Sequence, residues 1–272
     1  MALLSTPGTA APRPGDVRTA AGLHERDLLD LAERRILAVR IPAFTSRAAA
    51  GELARRILAS PHQTRYAVAP SVAKVGTTFF ETADDPAARA RYHQAGARGE
   101  SLLRDSCGGL REPIAVLRER MRAFPAGVRT ESVDGRPMSA GVARVFGPGS
   151  EIRAHQDVLA HDAPDARTPR ELVSQLAVNV YVSVARLGGE LALWRDSLSP
   201  AEYRARSIPG SPDLDERLLP APAAVLRPRL GELIAFNCTC VHAVRPVRQG
   251  CRVAFATFVG YRGPGRPWSV WS

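Results

Sequence analysis

From Leu176 to Val184 the chain reads Leu-Ala-Val-Asn-Val-Tyr-Val-Ser-Val, and from Arg252 to Tyr261 it reads Arg-Val-Ala-Phe-Ala-Thr-Phe-Val-Gly-Tyr. Both runs are rich in β-branched and aromatic residues, lack proline and are bounded by polar or glycine-containing segments, as buried strands are. Similar runs of period two cover Gly141 to Phe146, Glu151 to Val158, Glu190 to Trp194, Ala224 to Leu226, Glu232 to Phe236 and Val241 to Val247. Gly/Pro turns separate them, and no helical pattern alternates with them. That texture predicts an antiparallel sandwich or jelly roll rather than a parallel α/β sheet.

Upstream of these strands the period changes. Leu28, Leu31 and Ala32 recur at helical spacing, and Ile36 to Ile41 is a short apolar stretch ended by Pro42. Thr45 or Ser46 can cap a second helix whose buried face carries Ala49, Leu53 and Ile57. A longer helical region spans Pro86 to Ala123, interrupted at Cys107-Gly108-Gly109. The expected organisation is a disordered tail over residues 1–22 and a single domain over 23–272. Within that domain residues 23–135 are helical and 136–262 form the strand-rich core, an α+β architecture with an N-terminal helical layer packed on one sheet. Two polar insertions, His161 to Ser174 and Asp196 to Pro222, exceed hairpin length and are candidate lids or substrate loops.

Composition narrows the function classes. The 272 residues are 45% hydrophobic and 24% charged, which excludes collagen-like and wholly disordered chains. No apolar stretch is long enough for a membrane span, and the first residues lack a basic-then-apolar leader, so a cytoplasmic protein is expected. The net charge is +10, yet Lys74 is the only lysine. Seven arginines stand against Glu232 between Ala223 and Ser272, a surplus that suits a small anionic ligand at least as well as a nucleic acid. The cysteines, Cys107, Cys238, Cys240 and Cys251, form no CxxC pair and predict neither a zinc site nor a disulfide framework.

The chemistry concentrates in Glu151-Ile152-Arg153-Ala154-His155-Gln156-Asp157. On a strand, residues i and i+2 share a face, so His155 and Asp157 can act together. One imidazole and one carboxylate make two-thirds of the facial triad that holds non-haem iron(II). A lone HxD is weak, since a surface His–Asp pair is the bland alternative. His242 supplies a possible third ligand, reached through the turn Leu230-Gly231, the strand to Phe236 and a short loop. Arg252 follows ten residues on, at the start of the last long strand. Buried there, an arginine needs a bidentate carboxylate partner.

These ordered motifs resemble the Fe(II)/2-oxoglutarate-dependent dioxygenases. The resemblance covers roughly Gly141 to Tyr261: His155/Asp157, Asn179-Val180-Tyr181-Val182-Ser183, Gly188-Gly189-Glu190-Leu191, and His242 with Arg252. It implies a double-stranded β-helix (jelly-roll, cupin-like) core, iron(II) held by His155, Asp157 and His242, and the distal carboxylate of 2-oxoglutarate on Arg252. Oxygen would be the second cosubstrate, with succinate and carbon dioxide as co-products. Within the family the chain is similar to carrier-independent small-molecule enzymes, the hapalindole-type halogenases and the hydroxylases of N-substituted amino acids. Those halogenases replace the carboxylate of HxD by a small residue. This chain keeps Asp157, so the resemblance implies hydroxylation, or another oxidation, of an unactivated C–H bond in a small molecule such as an amino acid derivative or secondary-metabolite intermediate, and the C-terminal arginine surplus suggests that this molecule is anionic.

Arg144, Arg153 and Trp194 are the candidate substrate residues, against the alternatives of solvated strand arginines and a core tryptophan. His24, His62, His93 and His161 read as solvent-facing or packed, and Trp268 and Trp271 as pinning the C-terminal segment to the surface. Two other functions stay open. A nucleic-acid or nucleotide oxygenase is weakened by Phe258, which stands where such enzymes carry a second arginine, and by the lack of a basic groove with stacking aromatics. A non-catalytic jelly-roll binding module would not need the triad and Arg252 together. A small-molecule partner is therefore expected, with no nucleic acid and no membrane.

Overall fold

In the computed structural model, which describes residues 15–67, 69–82 and 85–272, the long strand runs of the second half pair with one another. In chain order the strands are β1 (Val17–Thr19), β2 (Ala38–Ile41), β3 (Thr64–Arg65), β4 (Val72–Val75), β5 (Val128–Thr130), β6 (Ser132–Val133), β7 (Arg136–Pro137), β8 (Val142–Phe146) and β9 (Ile152–His155). They continue with β10 (Ser174–Ser183), β11 (Leu187–Gly188), β12 (Leu191–Leu193), β13 (Ala224–Leu226), β14 (Leu233–Asn237), β15 (His242–Val244), β16 (Val247–Gln249), β17 (Arg252–Tyr261) and β18 (Trp268–Trp271). The main helices are α1 (Glu25–Ala32), α2 (Arg47–Leu58), α3 (Pro86–Ser106) and α4 (Pro113–Met121). Ser46 caps α2 by accepting the Ala49 N–H, and Asp85 caps α3 ahead of Pro86.

A large, mostly antiparallel sheet runs β1-β2-β14-β10-β17-β8-β4-β3. The ten-residue strands β10 and β17 form its centre, in the register Leu176↔Val259 to Tyr181↔Ala254. β17 is long enough to pair its first half with β8 and its second half with β18. A smaller sheet runs β13-β12-β15-β9. Alternation sorts the side chains of the large sheet into two cores. Val178, Val180, Val182, Val253, Phe255 and Ala143 pack under Leu28, Leu31, Leu53, Ile57, Leu117 and Met121 of the helices. Ala177, Tyr181, Ala254, Phe258 and Phe236 face Leu191, Leu193 and Leu226 of the small sheet. The result is a mixed fold of helical layer, large sheet and small sheet, with the expected helical layer on one sheet.

Three expectations need correction. The first half is not purely helical: β2, β4 and their neighbours extend the large sheet at both edges, because a neighbouring strand supplies the hydrogen bonds that runs this short could not sustain alone. Residues 1–14 of the expected tail lie outside the described residues, but Val17–Thr19 pairs in parallel with β2. Trp268 and Trp271 do not pin a surface tail. They alternate on a buried strand, the Trp268 indole donating to Glu25 Oε1 at 2.8 Å and Trp271 packing on Phe258.

Glycine is required at one turn beside the inner face. Gly188 has φ +81°, and a Cβ there would stand 2.0 Å from the Pro246 carbonyl oxygen. Of the two insertions, the first folds into short turns of helix at Leu159–Asp162 and Arg167–Arg170. The second carries the helix Pro200–Arg206, and its Leu198, Tyr203, Leu214 and Leu219 cover the outer face of the small sheet. Among the described residues no helix is long and apolar enough to cross a membrane.

Candidate active site

β15 pairs with β9 so that His242 stands directly opposite His155. Ala154 and Ala243, one residue away on each strand, point outward under Trp194 and Leu214, so both histidines point inward. Beyond His155 the chain leaves the strand, and the Asp157 N–H bonds the Cys238 carbonyl at 2.9 Å, which anchors the carboxylate beside β14. His155 Nε2 then lies 3.6 Å from Asp157 Oδ1, and His242 Nε2 lies 3.2 Å from Asp157 Oδ2. One donor atom from each residue falls within 4.8 Å of the others.

Tautomers are fixed from behind. His155 Nδ1 donates to the Arg153 carbonyl at 2.8 Å, and His242 Nδ1 donates to the Cys240 carbonyl at 3.0 Å. Each ring thereby presents an unprotonated Nε2 to the centre, as a metal ligand must. Phe236 packs against the His242 ring at 5.0 Å. Burial, followed by the neighbouring His242, pushes the His155 imidazole down to about 4. Burial alone would raise the Asp157 carboxyl, but His155, His242 and Arg144 together hold it well below the usual carboxylate range. Two imidazoles and one carboxylate, all aimed at one point, are a donor set suited to iron(II).

Arg252 starts β17 on the same inner face and is only 3% exposed. Its Nη2 donates to the Tyr181 hydroxyl at 3.2 Å, and its guanidinium lies over the rings of Phe146 and Tyr181 at 4.8 and 5.1 Å. Nε and Nη1 are buried with no hydrogen-bond partner. Two unpartnered N–H donors in one fork on a buried cation are the donor set that a carboxylate satisfies.

The three candidate substrate residues separate. Arg144 opposes Ala254 on β8 and shares the inner face with Arg252. Arg153 lies at the rim, its side chain half exposed and paired to Glu151 at 3.3 Å. Trp194 sits on the outer face of the small sheet and donates its indole N–H to the Pro220 carbonyl at 2.7 Å, so it is not brought to the triad. Sequence reasoning missed Tyr66, Lys74 and Tyr181 as neighbours of this face. Lys74 is the one with a signal, as the sole lysine at an alternate position of Val72-Ala73-Lys74-Val75.

Residues 140–260 match the 2OG-Fe(II) oxygenase superfamily. Across nearly its whole length the chain is also similar to the L-gamma-glutamyl-L-propargylglycine hydroxylase of Streptantibioticus cattleyicolor, at 26% identity over 93% of this chain and 94% of that protein. Among solved structures, an N-substituted L-amino acid dioxygenase from Burkholderia ambifaria superposes with a TM-score of 0.61 at 14% identity, covering 90% of each chain. HygX from Streptomyces hygroscopicus, solved with nickel and 2-oxoglutarate, gives 0.50 at 13% identity over 88% of this chain and 87% of that one. These likenesses agree with the fold, and the family match falls on the segment that carries the triad and Arg252. Residues 140–260 thus carry the 2OG-Fe(II) oxygenase match together with the triad, and the chain is an enzyme that works with iron(II) and 2-oxoglutarate.

Proposed function

We propose that the chain hydroxylates an unactivated C–H bond of a small, anionic amino acid derivative, with succinate and carbon dioxide as co-products. His155, Asp157 and His242 hold the iron(II), and Arg252 takes the distal carboxylate of 2-oxoglutarate. Residues 23–272 act as one domain, and the two facing sheets are read as the double-stranded β-helix of the family. The observation that carries the reading is the buried Arg252 with two unpartnered N–H groups on the face that also bears the triad. The hydroxylase acting on a γ-glutamyl amino acid, as the sequence relative does, supports the substrate class. Retention of Asp157 supports hydroxylation over halogenation.

Iron(II) with 2-oxoglutarate, when bound, activates oxygen and supplies the oxidising power for the C–H bond. The protein's part is positional. The carbonyls of Arg153 and Cys240 hold the two imidazoles in the ligating tautomer. Asp157 remains an anion and offsets metal charge. Tyr181 and Phe146 fix the Arg252 fork and keep water from it, so that a carboxylate is the group that satisfies it. Arg144 and the rim residue Arg153 are the candidate contacts to substrate; Trp194, packed on the outer face of the small sheet, is not one of them.

The test uses metal-free protein under anaerobic conditions, to which iron(II) and 2-oxoglutarate are added while the weak visible charge-transfer band of the chelate is recorded. His155→Ala is expected to abolish the band, and Arg252→Ala to require about tenfold more 2-oxoglutarate or beyond, given the cost of leaving a carboxylate unpaired. Absence of the band from wild-type protein that metal analysis shows to contain iron would refute the reading.

A further inference from the structure

The inner face carries more positive charge than the proposed chemistry uses. Lys74 stands directly opposite Arg144 in the β4–β8 ladder, and Arg144 in turn stands opposite Ala254, diagonal to Arg252. Tyr66, just beyond β3, closes the group: Lys74 Nζ lies 4.4 Å and the Arg144 guanidinium 6.0 Å from its ring centroid. Lys74 is compensated. It contacts the Thr78 hydroxyl at 3.1 Å and makes an ion pair with Glu81, which itself accepts from Thr78. Arg144 has no ion pair of its own among the described residues: Asp157 acts on it only through space, and its Nε is buried without a partner. The Tyr66 hydroxyl is likewise buried without a partner.

Charge matching identifies what is missing. On the proposed reading, the distal carboxylate of 2-oxoglutarate neutralises Arg252. Asp157 and the metal-side carboxylate of the cosubstrate together neutralise the two charges of iron(II). Glu81 neutralises Lys74. One positive charge, that of Arg144, is then left on a face lined by Phe146, Phe236 and Tyr181, where an unpaired ion is expensive. The Asp157 oxygens lie against the two histidine Nε2 atoms and attract Arg144 only through space, without a hydrogen bond to fill its N–H groups. The unfilled donors, a guanidinium N–H and a phenol O–H, are those that bind a carboxylate in a fork-and-hydroxyl arrangement.

We propose that Arg144, flanked by Lys74 and Tyr66, forms a second carboxylate subsite, separate from Arg252, that receives one carboxylate of the substrate. This rests on the oxygenase reading above and narrows its substrate class to acids. Arg144 and Tyr66 donate directly to the carboxylate. Lys74, locked by Glu81 and Thr78 over the ring of Tyr66, is a positioning residue.

The test uses protein loaded anaerobically with iron(II) and 2-oxoglutarate and a panel of probes: L-norvaline, N-acetyl-L-norvaline and γ-L-glutamyl-L-norvaline, each as the free acid and as the C-terminal carboxamide. Binding is read from the rise in Tm and from the change in the chelate's visible band. At least one acid is expected to bind about tenfold more tightly than its amide, the scale of a charge-assisted contact. Arg144→Met should erase that preference, Tyr66→Phe should reduce it, and neither should move 2-oxoglutarate affinity more than about twofold. Lys74→Met should weaken the acid preference and leave it in place, since Arg144 remains. Three outcomes overturn the proposal: acids and amides bind alike in wild-type protein, no acid of the panel binds, or Arg144→Met weakens 2-oxoglutarate while sparing the preference. The last would assign Arg144 to the cosubstrate. The acid–amide comparison in wild-type protein stands even if a variant fails to fold. Failure of the oxygenase reading itself is distinguishable, because the chelate band would then be missing before any probe is added.

Discussion

The His155 imidazole is held neutral in the folded protein down to about pH 4, against an ordinary value of 6.5 in the unfolded chain. Between those values the unfolded chain binds more protons than the folded one, so stability rises with pH across the window. The contribution of the neutral ring is present in full above pH 6.5 and is lost as pH falls toward 4. In metal-free protein, the urea midpoint of wild type should therefore drop more steeply from pH 7 to pH 4.5 than that of His155→Gln. Parallel curves for the two proteins would show that the ring is already solvated. The same residue illustrates what was readable in the chain. His155, Asp157, His242 and Arg252 are legible because strand period and ordered spacing fix their faces before any contact is known. Tyr66 is not, and Lys74 stands out only as the sole lysine, because the four-residue strand that carries it lies in the helical half and gains its partner, β8, only through tertiary pairing.

At the scale of elements, β2 joins the large sheet through more than its backbone ladder. Arg40 of β2 donates Nε and Nη2 to the two carboxylate oxygens of Glu232, each at 2.8 Å, and the Arg229 N–H bonds the same carboxylate at 2.9 Å. Glu232 is fully buried and lies immediately before β14, so one bidentate pair fixes both the register of β2 and the turn at Gly231. Glu232→Ala strands Arg40 without a counter-charge and is expected to cost about 3–5 kcal/mol, the usual penalty for breaking a buried pair. Urea unfolding with an unchanged m-value would read this directly, whereas a loss below about 1 kcal/mol would place Arg40 in solvent contact. The strands of the second half were legible as elements because they are long, proline-free and period-two. β1, β2 and β4 were not, since short edge strands draw their stability from neighbours far away in sequence. The split into helical and strand-rich halves holds for the helices and fails for these edges.

At the scale of the molecule, the proposed ligands bridge the two sheets: the triad projects from the small sheet and its following loop, and Arg252 from the centre of the large one. Between them the ligand-free protein buries a cation with two unsatisfied donors. Such a site weakens the empty fold and strengthens the loaded one, a common relation between function and stability. Arg252→Met keeps the stem that packs on Phe146 and Tyr181 and removes the charge. Relief of about 1–3 kcal/mol is expected for removing an unsatisfied buried group, and at about 2–4 °C per kcal/mol the ligand-free Tm should rise by several degrees. The loaded state should respond in the opposite sense. With nickel(II) in place of iron and 2-oxoglutarate at roughly a hundred times its Kd, wild-type protein gains about 2.7 kcal/mol, while the variant at the same concentrations gains little beyond the metal's own effect. Crossing of the two proteins in thermal rank, variant above wild type when empty and below it when loaded, is the expected outcome of paired thermal scans. If Arg252→Met melts lower in both states, the arginine is part of the core that holds the sheets together, and the carboxylate must be bound elsewhere.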